Sequence, residues 1–135
     1  MYTEIRFSGF NENAEAEQFG QRLNAIVPGL YTGPDRVVGR FSCTVSSEDA
    51  WPAHGLAIRK LLSRVQAVIQ EARRSGIRVQ LDVAVQQEDY HNRWLTEIIF
   101  MEADLVEFIG SLKVDLAVTV YGTRQTENRE DEETP

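Results

Sequence analysis

The chain has 135 residues, 42% apolar and 26% charged, which is enough for one domain with a hydrophobic core and ordinary for a globular protein. Its formal net charge of −7 argues against nucleic acid as a partner, because phosphate contacts need clustered Lys and Arg. No apolar run approaches the roughly 18 to 20 residues of a membrane helix, the first residues lack the basic and apolar regions of a signal peptide, and Cys43 is the only cysteine, so a reducing cytoplasm is expected.

The elements follow in chain order. Thr3, Ile5 and Phe7 alternate with Tyr2, Glu4, Arg6 and Ser8, predicting a first strand with odd positions inward. Asn11-Glu12-Asn13 supplies a helix start, with Glu12, Glu15 and Glu17 near its positive end. Phe19, Leu23, Ile26 and Val27 form the apolar face of that helix, and Pro28-Gly29 stops it. Alternation over residues 37–45 predicts a second strand, with Phe41 and Cys43 inward.

Ser46 to Gly55 reads as a polar connection that holds His54 as an exposed loop histidine. One long helix should follow, burying Leu56, Leu61, Leu62, Val65, Val68, Ile69 and Ala72. Arg59, Lys60, Arg64, Arg73 and Arg74 would make a basic ridge along it, and Gly76 ends it. Ile77 to Val85 alternates clearly and predicts the third strand. Residues 87–93 form a hairpin connection and 94–100 a fourth strand. A short helix over 101–113 is anchored by Leu105, Phe108, Ile109 and Leu112. The last strand is Val114 to Tyr121, with Leu116, Val118 and Val120 predicted to hold the sheet to its helices and Asp115, Ala117 and Thr119 to face outward.

This order, β-α-β-α-β-β-α-β, predicts an α+β two-layer sandwich: a mainly antiparallel five-stranded sheet with three helices on one face. The domain should span residues 1–122. Residues 123–135 hold Glu127, Glu130, Asp131, Glu132 and Glu133 and should be an acidic, disordered tail.

The pattern Asp104-Leu105-x-x-Phe108-Ile109-x-x-Leu112-x-Val114-Asp115-Leu116-x-Val118-x-Val120-Tyr121 resembles the C-terminal signature of the DUF4279 domain family. The opening Ile5-x-Phe7-x-Gly9-Phe10 and the acid-rich first helix are also similar to that family. The chain departs from it after the first helix, where Thr32-Gly33-Pro34-Asp35-Arg36 replaces a proline, a basic residue and a glycine. The resemblance implies no agreed activity and no cofactor. It implies a context, that of bacterial immunity or toxin-neighbourhood proteins.

No nucleophile elbow, phosphate loop or paired-cysteine motif is present. The leading expectation is therefore a non-catalytic binding protein, of the immunity type that occludes a toxin's active site. Its contact residues would be Glu88, Asp89, Tyr90, His91 and Arg93 in the hairpin loop, with Asp82, Glu97 and Asp115 on the open sheet face. Trp51 and Trp94, if they share an end with Tyr31 and Tyr90, would add an aromatic rim. Two other functions compete: a metal-dependent enzyme using Glu88, Asp89 and His91, and a self-assembling module that pairs copies through exposed strand edges.

Overall fold

A computed structural model describes residues 2–47, 51, 53–87 and 101–122. The chain is α+β. The strands are β1 (Tyr2–Ser8), β2 (Arg40–Ser46), β3 (Arg78–Gln87) and β4 (Asp115–Gly122). The helices are α1 (Asn13–Ile26), α2 (Ala53–Arg64), α3 (Gln66–Arg74) and α4 (Ala103–Ser111). No described helix is long and apolar enough to cross a membrane.

The sheet has the order β2-β1-β3-β4. β1 pairs antiparallel with both β2 and β3, whereas β4 lies parallel to β3, with Leu81 opposite Leu116 and Val83 opposite Val118. The sheet is thus mixed and four-stranded among the described residues, where five mainly antiparallel strands were expected. Two neighbouring parallel strands cannot be joined by a hairpin. The chain between β3 and β4 includes α4 instead, so the two strands run the same way. The strand expected over 94–100 lies outside the described residues.

β1 follows its alternation: Thr3, Ile5 and Phe7 are buried and the even positions are not. β2 starts at Arg40, three residues later than expected. Val37 and Val38 are exposed in a turn that Gly39 completes at φ 79°, where the Phe10 amide donates to the Gly39 carbonyl at 3.1 Å. A side chain at Gly39 would collide with the Phe10 carbonyl, so the positive φ and the close approach both call for glycine.

The long helix is two helices. The backbone leaves helical values at Val65 (φ −103°, ψ 14°), and neither Pro nor Gly marks the place. The buried stripe nevertheless continues through the break, as Ile58, Leu62, Val65, Val68, Ile69 and Ala72. Leu56 is two residues out of phase with Ile58, about 200° around a helix, and does not join that stripe.

An aromatic cluster in the core joins β1 and β2 to the segments that flank α1. Phe7 and Phe41 stack at 4.9 Å between centroids, Phe41 stacks on Phe10 at 5.8 Å, and Tyr31 meets Phe41 edge-on at 4.9 Å. Tyr31 therefore belongs to the core and not to an aromatic rim. Asn24 holds its backbone from both sides, accepting from the Tyr31 amide at 2.7 Å and donating to its carbonyl at 3.0 Å. The Tyr31 hydroxyl donates to Glu17 at 2.8 Å.

Candidate functional site

The first turn of α2 is held from beneath by a buried polar cluster. His54 is fully buried inside α2, not exposed in a loop before it. Its Nε2 meets the Thr3 hydroxyl of β1, and its Nδ1 meets the Ser46 hydroxyl of β2 at 3.0 Å. A neutral imidazole has one ring N–H to donate and one ring nitrogen to accept, and a hydroxyl can do either, so both nitrogens are satisfied in either tautomer. The three residues come from three elements. Their bonds fix where α2 begins over the sheet.

Trp51 precedes α2, with its indole 5.7 Å from the His54 ring between centroids. Gly55 makes room for it: a Cβ there would lie 2.8 Å from an indole carbon. The indole and the helix thus form one wall of an open pocket of about 420 Å³, with Ala53, Leu56 and Arg59 continuing it along α2. Glu102 and Leu105, where α4 begins, form the opposite wall.

The floor is apolar and the rim is charged. Leu56, which lines the pocket, is 70% exposed and extends its apolar surface to the mouth. The Arg59 guanidinium lies over the Phe108 ring at 5.1 Å, which restrains it. Among the described residues Arg59 forms no ion pair; the three pairs present are Arg6–Glu4, Arg22–Glu71 and Arg40–Asp35. Lys60 and Arg64 are also exposed on α2, so part of the expected basic ridge runs away from the pocket mouth. Arg64 is partly committed, donating to the Ile26 carbonyl at 2.7 Å at the negative end of α1.

The size and apolar lining of the pocket suit recognition by shape and desolvation. Nothing among its described residues is a nucleophile or a general base in reach of one. Cys43 is buried elsewhere, and burial followed by the nearby Glu4 charge pushes its thiol up to about 12, far from a reactive thiolate. Among the described residues no three His, Cys, Asp or Glu side chains converge in a way that could hold a metal ion.

Of the expected contact residues, Asp82 and Asp115 are among those described. Glu88, Asp89, Tyr90, His91, Arg93 and Glu97 lie outside the described residues, as does the acidic tail. Asp115 is exposed at the start of β4. Asp82 is on the open face but is buried, accepting from the Thr119 hydroxyl at 2.8 Å, so it ties β3 to β4. A second, more polar cavity of about 390 Å³ lies on the open face, where Val27 to Leu30 and Thr32 lean over Glu4, Ser42 and Thr44.

Sequence reading missed the α2–α4 pocket because its walls are about fifty residues apart in the chain. One signal was present: Leu56 is a large apolar residue that cannot share a face with Ile58 and Leu62. Compared with family models, characterised proteins and solved structures, the chain matches none, so the reading of the site rests on its own geometry.

Proposed function

We propose that this chain is a non-catalytic binding protein whose site is the pocket between α2 and α4. Its partner is a protein that inserts one apolar side chain between Trp51 and Leu105. The observation that carries this reading is the open apolar pocket with Leu56 standing exposed at its mouth. An aromatic or aliphatic anchor entering such a pocket supplies much of an interface's affinity, while charged residues around it set orientation. The exposed Arg59 at the pocket favours an acidic residue flanking that anchor.

A toxin-occluding role remains the most specific form of this proposal. Its centre of gravity moves: of the two described acids expected to lead the contact, Asp82 is spent on Thr119. An apolar anchor with an acidic flank replaces an acid-led contact.

The test is a selection of displayed random peptides against the purified protein. The expected outcome is enrichment of peptides with an aromatic or aliphatic anchor beside Asp or Glu, whose binding is lost in Leu56→Asp and falls in Arg59→Glu. Both positions are exposed, so both variants should melt close to the parent. Peptides that bind Leu56→Asp as well as the parent, or no enrichment at all, refute the reading.

A further inference from the structure

The two walls of the α2–α4 pocket carry opposite charges that do not pair with each other. On α2 the charge is Arg59, held over the Phe108 ring. On the other wall it is Glu102, exposed at the residue before α4, where the backbone is extended (φ −68°, ψ 152°). The Glu102 carbonyl accepts from the Leu105 and Val106 amides at 3.0 and 3.1 Å, but its carboxylate caps neither. Among the described residues neither Arg59 nor Glu102 joins an ion pair. The exposed neighbours, Lys60 on α2 and Asp104 on α4, repeat the sign of the wall on which each stands.

We propose that the pocket recognises a dipolar protein segment: an apolar anchor with an acidic residue on the side that meets Arg59 and a basic residue on the side that meets Glu102. This inference rests on the reading of the pocket as a seat for one apolar side chain. It adds a cationic contact and a fixed polarity. An anchor that fills the pocket takes water from both charges at once. A charge that loses water without gaining a partner weakens binding, and a like charge brought against it weakens binding further. The apolar lining thus decides that an apolar group enters, and the two walls decide what stands on either side of it. A segment with its charges exchanged sets acid against Glu102 and base against Arg59 and is rejected. Glu102 is the specificity-determining residue of the new contact. Charges at the rim of an interface select among partners more than they add affinity, so the expected effect is moderate.

The test selects a displayed peptide library, with one fixed phenylalanine and random flanks, on the full chain. The expected result is Asp or Glu on one side of the phenylalanine and Lys or Arg on the other, in one order along the peptide. A synthetic peptide of that consensus should bind Glu102→Arg about tenfold more weakly than the parent, and Glu102→Gln more weakly by a smaller factor. Both losses should disappear when the basic residue of the peptide is made alanine, because the contact they break is then already gone. The double variant Arg59→Glu with Glu102→Arg should prefer the peptide whose two charged residues are exchanged. A cation at a helix start is unfavourable, so Glu102→Gln carries the test if circular dichroism shows that Glu102→Arg has lost helix. A consensus with an acid but no preferred charge on the other flank, or equal binding to the parent and Glu102→Arg, overturns the dipolar contact and leaves the pocket reading standing. An equal loss for the charged and the alanine peptides also overturns it, and assigns Glu102 to the shape of α4. A library without enrichment, or binding that survives Leu56→Asp, overturns the pocket reading and this inference with it.

Discussion

β1 and β4 are both seven- or eight-residue strands of alternating sequence, and both present an apolar row to the helix side of one sheet. In β1 that row is Thr3, Ile5 and Phe7, sealed under α1 and α2 and tied by His54. In β4 it is Leu116, Val118 and Val120, left substantially open. The difference lies in position and not in pattern. β1 is flanked by strands on both sides, whereas β4 is an edge strand among the described residues and touches α4. One side of the molecule is built to be stable, and the other retains apolar surface that stability does not use.

The largest test of this contrast is in the aromatic cluster. Phe41→Ala should destabilise the fold by about 3–5 kcal/mol in a denaturant melt, because Phe41 touches Phe7, Phe10 and Tyr31 at once. A loss within the range of a surface substitution would break the comparison at its stable end.

The sharpest test uses one substitution on two paired residues. Leu81 is fully buried and sits opposite the 41%-exposed Leu116. Leu81→Ala should cost about 2–5 kcal/mol, as a cavity in a sealed core does. Leu116→Ala should cost under about 1 kcal/mol, near the range of surface changes. Equal costs would mean that the β4 row is as well covered as the β3 row.

His54 connects the two sides. His54→Leu deprives Thr3 of its buried partner and should cost about 1–3 kcal/mol. Because His54 also fixes the first turn of α2, the same variant should weaken anchor-peptide binding at a temperature where it is still folded. Lost stability with unchanged binding would separate the cluster from the pocket.

The smallest effect is a pH dependence confined to the stable side. The Gln21 amide first, and then the Tyr31 hydroxyl, hold the Glu17 carboxyl below its usual range. A carboxyl with a lowered folded value contributes stability above its unfolded value and loses it as pH falls through the folded one. Burial first, and then Glu17, push the Tyr31 hydroxyl from 10.0 up to about 12. Its contribution is complete below pH 10 and is lost as pH rises toward 12. The melting difference between the parent and Tyr31→Phe should therefore be widest across neutral pH and shrink at both extremes. A difference that does not change with pH would assign Tyr31 to packing alone.

Local pattern made much of the fold legible. Thr3, Ile5 and Phe7 point inward as their alternation requires, α1 starts at Asn13 and stops before Pro28, and β3 and β4 lie where the alternation put them. Pattern reports that a strand has two faces, but not whether anything covers them, and so Leu116, Val118 and Val120 were expected to be buried. The parallel pairing of β3 with β4 is a matter of chain path, which alternation does not encode. His54 looked like a loop residue because its partners, Thr3 and Ser46, come from other strands. The pocket was the least legible feature, since it exists only when Trp51 and Leu56 are brought against Leu105. The break at Val65 has no sequence cause that we can identify.

The most direct test of the binding face is a titration of isotope-labelled protein with a selected anchor peptide, followed by amide chemical shifts. The account predicts shifts centred on Gly55, Leu56, Arg59 and Leu105, with Phe7, Phe41 and Tyr31 unmoved. Shifts centred on Glu4, Ser42 and Thr44 would place binding in the cavity of the open face and contradict it.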